Sequence, residues 1–362
     1  MTSYQCFGCR LDIIGEYVTV RELGNRKYHP DCFLCYHCRQ EIQGSFLIYD
    51  NQPYHSACLS ERQGLWCAGC GELITGEYLT ALDKKWHPHH FVCTKCRKPI
   101  VSKSYPVKDG KPYCASCYQD TFLPRCTICG HPIAEKYIQN RWGDTYCASH
   151  EREYKTCACC QRLVTRGGVL YKDRRSICQT CRSSAVDNLN TAWSSFNKVR
   201  RHLARLGINL VNAAIPLELV DQRRIPALSA RLSVGDTFGV TSKSITTRLG
   251  VPVEGKVEKI SILHGLPREL FTAVSAHELG HAWLCLNNIQ IHVHEIEEGF
   301  CELLGYLWLE SLGTPTSRIW MKGMLENQNT TYSSGLKMAL RSYKEHSLPS
   351  ILSHLRSTSH LP

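Results

Sequence analysis

The chain has 362 residues, 43% of them hydrophobic, and a formal charge of +11, which allows one sizeable core plus smaller units, two to four domains in all. No apolar run approaches membrane-spanning length, and Met1-Thr2-Ser3-Tyr4-Gln5 runs into Cys6 with no apolar leader, so a cytoplasmic chain is expected, neither inserted in a membrane nor secreted. The Lys and Arg residues form no dense tract, and deprotonating the metal-binding cysteines around zinc would bring the charge to about +6, so nucleic-acid binding is not demanded.

Of 22 Cys, all but Cys285 and Cys301 precede residue 182. They fall in CxxC pairs interleaved with His, which is metal spacing rather than a disulfide framework. Cys6, Cys9, His29, Cys32, Cys35, Cys38, His55 and Cys58 have the spacing of a LIM domain, expected over 4–62 with two tetrahedral zinc sites of four ligands each. Stretches such as Ser45-Phe46-Leu47-Ile48-Tyr49 suit short hairpins. The pattern repeats over 65–121 with Cys67, Cys70, His87, His90, Cys93, Cys96, Cys114 and Cys117. The two-residue gap favours His90 over the adjacent His89, and Lys84-Lys85-Trp86-His87-Pro88 echoes Arg26-Lys27-Tyr28-His29-Pro30.

A LIM-like double zinc module is expected over 124–184. Cys126, Cys129, Cys147 and His150 form one site, and Cys157, Cys160, Cys178 and Cys181 the other, six residues apart in the chain where LIM has two. Cys159 and His131 are left over, with Cys159 an alternative to Cys160. Four protein ligands close each of these six sites, so their zinc is structural and the modules act through their surfaces.

Leu189, Trp193, Phe196, Val199, Leu203 and Leu206 then follow helical spacing, with Lys198, Arg200, Arg201 and Arg205 read as a solvated face. Short strands and turns are expected over 208–219 and 235–241. Val257 to His264 reads as a strand that enters a helix through Gly265-Leu266-Pro267 and could bind substrate backbone as an added strand. His264 reads as a structural polar group.

The helix carries His277-Glu278-Leu279-Gly280-His281. Four residues make about one helical turn, so both imidazoles can reach a single Zn²⁺, with Glu278 beside the open position as a proton acceptor. Gly280 costs about 1 kcal/mol against Ala in a helix interior and implies close packing near the metal. A second helical pattern, Ile296 to Leu309, offers Glu297 and Glu298, about 100° apart round a helix, either of which could complete a two-His, one-Glu site. The segment Glu298-Gly299-Phe300 resembles the Asn-Glu-Gly-Phe run of gluzincin aminopeptidases, whose Glu is the third zinc ligand, and that resemblance selects Glu298. Glu302, one turn on, resembles the acid that hydrogen-bonds a ligand histidine in such enzymes. A break at Leu312-Gly313-Thr314-Pro315 precedes two helical segments, around 316–326 and 333–357. Tyr332 and Tyr343 are candidates to stabilise an oxyanion, although a packed tyrosine is the commoner role.

From Cys6 to the end, including Tyr332-Ser333-Ser334-Gly335-Leu336, the chain resembles the DA-one family of ubiquitin-activated peptidases, best known from plants as limiters of organ growth. The resemblance implies a cytoplasmic zinc endopeptidase that cuts regulatory proteins. The family's zinc histidines fall on His277 and His281, its catalytic Glu on Glu278, and its Glu-Glu-Gly segment on Glu297-Glu298-Gly299. Plant members carry ubiquitin-interacting helices ahead of the LIM domain. Here the first ligand is Cys6, so a short form is expected, with ubiquitin a partner only if the zinc modules bind it. The expected architecture is thus multidomain: small β-rich LIM and LIM-like modules, then an α+β, gluzincin-like peptidase domain over 187–362. Its cofactor would be one catalytic zinc beside six structural ones, and its partners protein substrates. The alternative is a zinc-module scaffold with a latent or inactive peptidase domain.

Overall fold

A computed structural model describes residues 4–225, 238–248 and 251–362. The chain divides into two compact units, Met1–Pro124 and Arg125–Pro362.

The first unit is built from two-stranded antiparallel hairpins. Val18–Val20 pairs with Arg26–Tyr28, Leu47–Tyr49 with Gln52–Tyr54, and Leu79–Ala81 with Lys84–Trp86. Ser56–Arg62 and Ala115–Phe122 are short helices, each starting just after a predicted ligand, His55 and Cys114. The apolar clusters are small. One gathers Val20, Leu23, Tyr28, Phe33 and Tyr54, and another has only Ala81, Phe91, Cys93 and Ile100 fully inside.

In the second unit the third cysteine-rich stretch shares a core with the region that carries His277. Cys157, Cys160, Ile177, Cys178 and Cys181 belong to the same buried cluster as Phe196, Ile260, Phe271, Trp283 and Leu304. Three contacts join them. Strand β1 (Ala185–Val186) pairs antiparallel with Leu266–Pro267, the residues just before the His277 helix. Trp142 meets Trp320 edge to face at 4.9 Å and donates its indole N–H to Cys160 O at 2.7 Å. Asp173 accepts from Arg175 Nε at 2.8 Å and from the Gln222 backbone N–H at 3.0 Å, while Arg175 donates to His264 O at 2.9 Å. The Asp173 side chain is fully buried and that of Arg175 nearly so. Removing one member of such a pair strands the other's charge. Asp173→Ala is therefore expected to lower the stability of this unit by about 3 kcal/mol, read from the shift in its urea midpoint. The double variant Asp173→Leu/Arg175→Met should recover much of the loss. A single variant with an unchanged midpoint would show that the pair holds nothing together.

Helix α1 (Leu189–Arg205) follows, capped by Asn188, whose Oδ1 accepts from Thr191 N–H at 2.9 Å. The face expected to be solvated is split. Lys198, Arg201 and Arg205 are exposed, but Arg200 is buried and donates to the carbonyls of Leu210, Val211 and Ala213, tying the chain after the helix to it. A three-stranded sheet comes next: β2 (Leu217–Val220), β3 (Gly239–Arg248) and β4 (Val251–Leu263), in the order β2-β4-β3. β4 runs parallel to β2 and antiparallel to β3, so the strand expected over 257–264 is the sheet's centre, with residues 260–262 paired on both sides. That part of it cannot accept an added strand. Part of the 235–241 stretch lies outside the described residues.

Gly265 and the short β5 (Leu266–Pro267) lead into α2 (Arg268–Leu286), with Pro267 as N-cap rather than first helical residue. α2 is buried on most sides, against the sheet, α1 and α3 (His294–Leu312). α3 ends at Gly313 in the left-handed conformation, with φ 64°. α4 (Pro315–Leu325) is capped by Thr314, and α5 (Thr330–Glu345) by Asn329. The segment expected to be one helix over 333–357 is two. Ser347 caps a new helix, α6 (Leu348–Thr358), whose Pro349 lies in the first turn and could not sit in a helix interior without losing a hydrogen bond. α3 and α5 cross backbone to backbone at Gly299 and Gly335, where a Cβ on Gly299 would lie 2.3 Å from Gly335 O. That crossing carries Tyr332 towards the histidines. No described helix is long and apolar enough to cross a membrane.

Candidate metal centre

α2 and α3 bring His277, His281 and Glu298 together. The two Nε2 atoms are 3.2 Å apart, and the Glu298 oxygens stand 3.2 Å from His277 Nε2 and 3.6 Å from His281 Nε2. A tetrahedral Zn²⁺ with bonds near 2.0–2.1 Å needs ligand atoms about 3.3 Å apart, so the three fit one ion and leave a fourth position. Gly280 lets the helices close: a Cβ there would sit 2.9 Å from Cys301 Sγ.

Each imidazole is backed by a carboxylate. Glu297 Oε1 lies 2.9 Å from His281 Nδ1 and accepts from Lys243 Nζ at 2.7 Å. Glu302 Oε1 stands 3.0 Å from His277 Nδ1, a close ion-pair contact at an angle poor for a hydrogen bond. A proton held on Nδ1 leaves the Nε2 lone pair facing the shared point. Burial opposes a charged His277, yet Glu298 and Glu302 hold its pKa well above the ordinary value. Burial likewise opposes an ionised Glu297, but His281 and Lys243 bring it down to about 2. With both imidazoles neutral, as metal ligation requires, Glu278, Glu297, Glu298 and Glu302 face the Lys243 ammonium, and a bound dication would offset most of that excess of carboxylates.

Glu278 is buried beside this cluster. Thr241 on β3 donates from Oγ1 to Glu278 Oε2 at 2.6 Å and lies 3.0 Å from the Glu278 carbonyl. A Cβ on Gly239 would lie 2.8 Å from Glu278 Oε1, so β3 passes close against the carboxylate. Among the described residues β3 has no strand on its outer side, which makes it, and not β4, the free edge next to Glu278. Tyr332 stands with its ring 6.3 Å from that of His277, and burial with Glu298, Glu302 and Glu278 raises its pKa. Tyr343 is exposed on α5. Sequence reasoning weighed Glu297 only as a rival ligand to Glu298, and it missed Lys243, Thr241 and also His294, whose Nδ1 is 3.7 Å from Glu298 Oε1. Glu297 was visible as the neighbour of Glu298. The β3 residues gave no signal, because only the sheet's register carries them to α2.

The cysteine-rich stretches form the clusters expected of them. Cys6/Cys9/His29/Cys32, Cys35/Cys38/His55/Cys58, Cys67/Cys70/His87/His90, Cys93/Cys96/Cys114/Cys117 and Cys126/Cys129/Cys147/His150 each bring four ligand atoms within 4.8 Å of one another, and His90 rather than His89 completes the third. Cys160 and Cys178 Sγ are 3.5 Å apart, and Cys157 Sγ accepts from the Cys178 N–H at 3.3 Å. Cys159 is buried against the same group. The first thiol of a pair is prepared to ionise: burial would raise Cys6, but the N–H groups of Cys9, His29 and Gly8 bring it to about 6.

Comparison with known proteins matches LIM domains at 6–63 and 67–122, and a domain described as Protein DA1 at 207–323. The chain is 38% identical over 121 residues to Paxillin-B of Dictyostelium discoideum, covering 33% of this chain and 21% of that protein. LIM domain-containing protein HDR3 of Oryza sativa subsp. japonica is 27% identical over 319 residues, 76% of this chain and 63% of its own. Protein DA1-related 2 of Arabidopsis thaliana is 30% identical over 306 residues, 74% and 58%. The chain thus spans less than two thirds of each of these relatives. The LIM matches support structural zinc in the four clusters between Cys6 and Cys117.

Proposed function

We propose that this chain, which belongs to the DA1-family LIM proteins, is a zinc-dependent endopeptidase of gluzincin type that cuts protein substrates in the cytoplasm. The observation that carries the reading is the approach of His277, His281 and Glu298 to tetrahedral ligand spacing beside a buried Glu278. Those three residues would hold the ion. Bound there, zinc would supply Lewis acidity to a peptide carbonyl and to water. Glu278, fixed by Thr241, takes a proton from the attacking water and returns it to the leaving amide nitrogen. Glu302 and Glu297 hold the imidazoles in the ligating tautomer. The free edge of β3 offers backbone groups to an extended substrate. Tyr332 stands where a phenol O–H could donate to an oxyanion. The remaining zinc modules recognise or regulate, and ubiquitin is a candidate partner.

The test is cleavage of an unfolded protein by the purified chain, with and without ubiquitin, before and after the most labile zinc is removed with a mild chelator. Hydrolysis lost on removal and restored by one equivalent of zinc is the expected result. A ubiquitin requirement would assign the zinc modules a ubiquitin-binding role. Activity that survives loss of the ion from His277 and His281 would sink the reading.

A further inference from the structure

A second site lies on the opposite reach of α3 and shares no residue with the metal centre. Lys198, Arg201, His202 and Arg205 of α1 line a cavity of about 420 Å³ together with Trp308 and Ser311 of α3. The three long cations make no ion pair with a carboxylate among the described residues. Arg201 and Arg205 are one turn apart on the helix, as are Lys198 and Arg201, a spacing at which like charges repel. The C-terminal end of α3 is close by and carries about half a negative charge, well short of balancing three cations. Trp308 is 3% exposed, and its buried indole N–H has no acceptor. The cavity thus presents arginine donors and fixed positive charge with no carboxylate paired to them among the described residues. His202 packs edge to face on Trp308 at 5.2 Å, and burial with Arg205 lowers its pKa, so its ring is neutral and brings one N–H. Arg200, by contrast, is fully engaged with backbone carbonyls.

We propose that this cavity binds a phosphate monoester group, either free phosphate or the phosphorylated side chain of a peptide. A compact anion with several acceptor oxygens can take N–H donors from both arginines, with Lys198 adding charge and Trp308 forming part of the wall. Nothing in the site depends on the peptidase chemistry.

The test follows the indole N–H signals of the seven tryptophans in the zinc-loaded full chain by NMR, with Trp308→Phe identifying the relevant one. Inorganic phosphate is added first, then a phosphoserine peptide and its unphosphorylated counterpart. A saturable shift of the Trp308 signal is expected. Arg201→Gln/Arg205→Gln, at two exposed positions that leave the core intact, should weaken binding at least about tenfold. Equal affinity for phosphate and phosphopeptide would assign the free anion, and tighter phosphopeptide binding a modified side chain. Both support the site. A shift that never saturates, that survives the double substitution, or that the unphosphorylated peptide produces equally well would overturn it.

Discussion

Glu278→Gln is expected to lower the turnover of an unfolded protein substrate by about a thousandfold, in the range for loss of a positioned general base, with zinc content and melting temperature unchanged. The substitution is nearly isosteric. Thr241 Oγ1 donates to one carboxylate oxygen at 2.6 Å and lies 3.0 Å from the Glu278 carbonyl, and a glutamine keeps an acceptor for both contacts. What it loses is the capacity to carry a proton. A thousandfold corresponds to about 4 kcal/mol of transition-state stabilisation, more than disturbance of one hydrogen bond would supply. Loss of kcat with KM little changed would fit that account. A variant as active as the native chain, with zinc intact, would leave the His277 cluster as a metal site without this chemistry and would favour the scaffold reading.

The parts of this site that could be read from the chain share one property: they lie on single helices. His277, Glu278 and His281 are fixed relative to one another by one turn of α2, and Glu298 and Glu302 by one turn of α3, so spacing alone foretells which side chains share a face. Thr241, Lys243 and Gly239 reach α2 only through the register of β3 on β4, which includes bulges between Ser242 and Lys243 and between Thr246 and Thr247. No local pattern encodes that alignment. The same difference explains the misreading of 257–264: an apolar strand next to the His277 helix resembles an edge until its neighbours on both sides are known. Arg200 is a third instance, since periodicity places it among exposed cations while tertiary packing gives it three carbonyls. The core that the third module shares with α2 left no such pattern, whereas the ligand clusters of the zinc modules were legible because ligand spacing in them is the fold.

That last point carries the other large expected effect. Cys93→Ser should lower the zinc content by one and abolish hydrogen-exchange protection across 91–122, while protection in α2 and α3 stays native. Cys93 is itself one of only four buried hydrophobic residues in its cluster, and the neighbouring pairing consists of Val107–Lys108 with Lys111–Pro112 and a single bridge from Val92 to Pro99. Burial of Phe91 and Ile100 contributes about 2–3 kcal/mol each, whereas a structural zinc contributes about 10 kcal/mol or more to the folding of such a module. Serine keeps the side chain's size but not the thiolate. The three remaining ligands, Cys96, Cys114 and Cys117, would have to close the site with water, and the helix that starts at Ala115 would lose its anchor. α2 is unaffected for a physical reason: its buried cluster, which runs from Cys157 to Leu355, shares no residue with the small cluster around Cys93. Retention of full zinc content and native exchange in the variant would mean that Cys93 is only a packed thiol, and the four-ligand assignment at that site would fail.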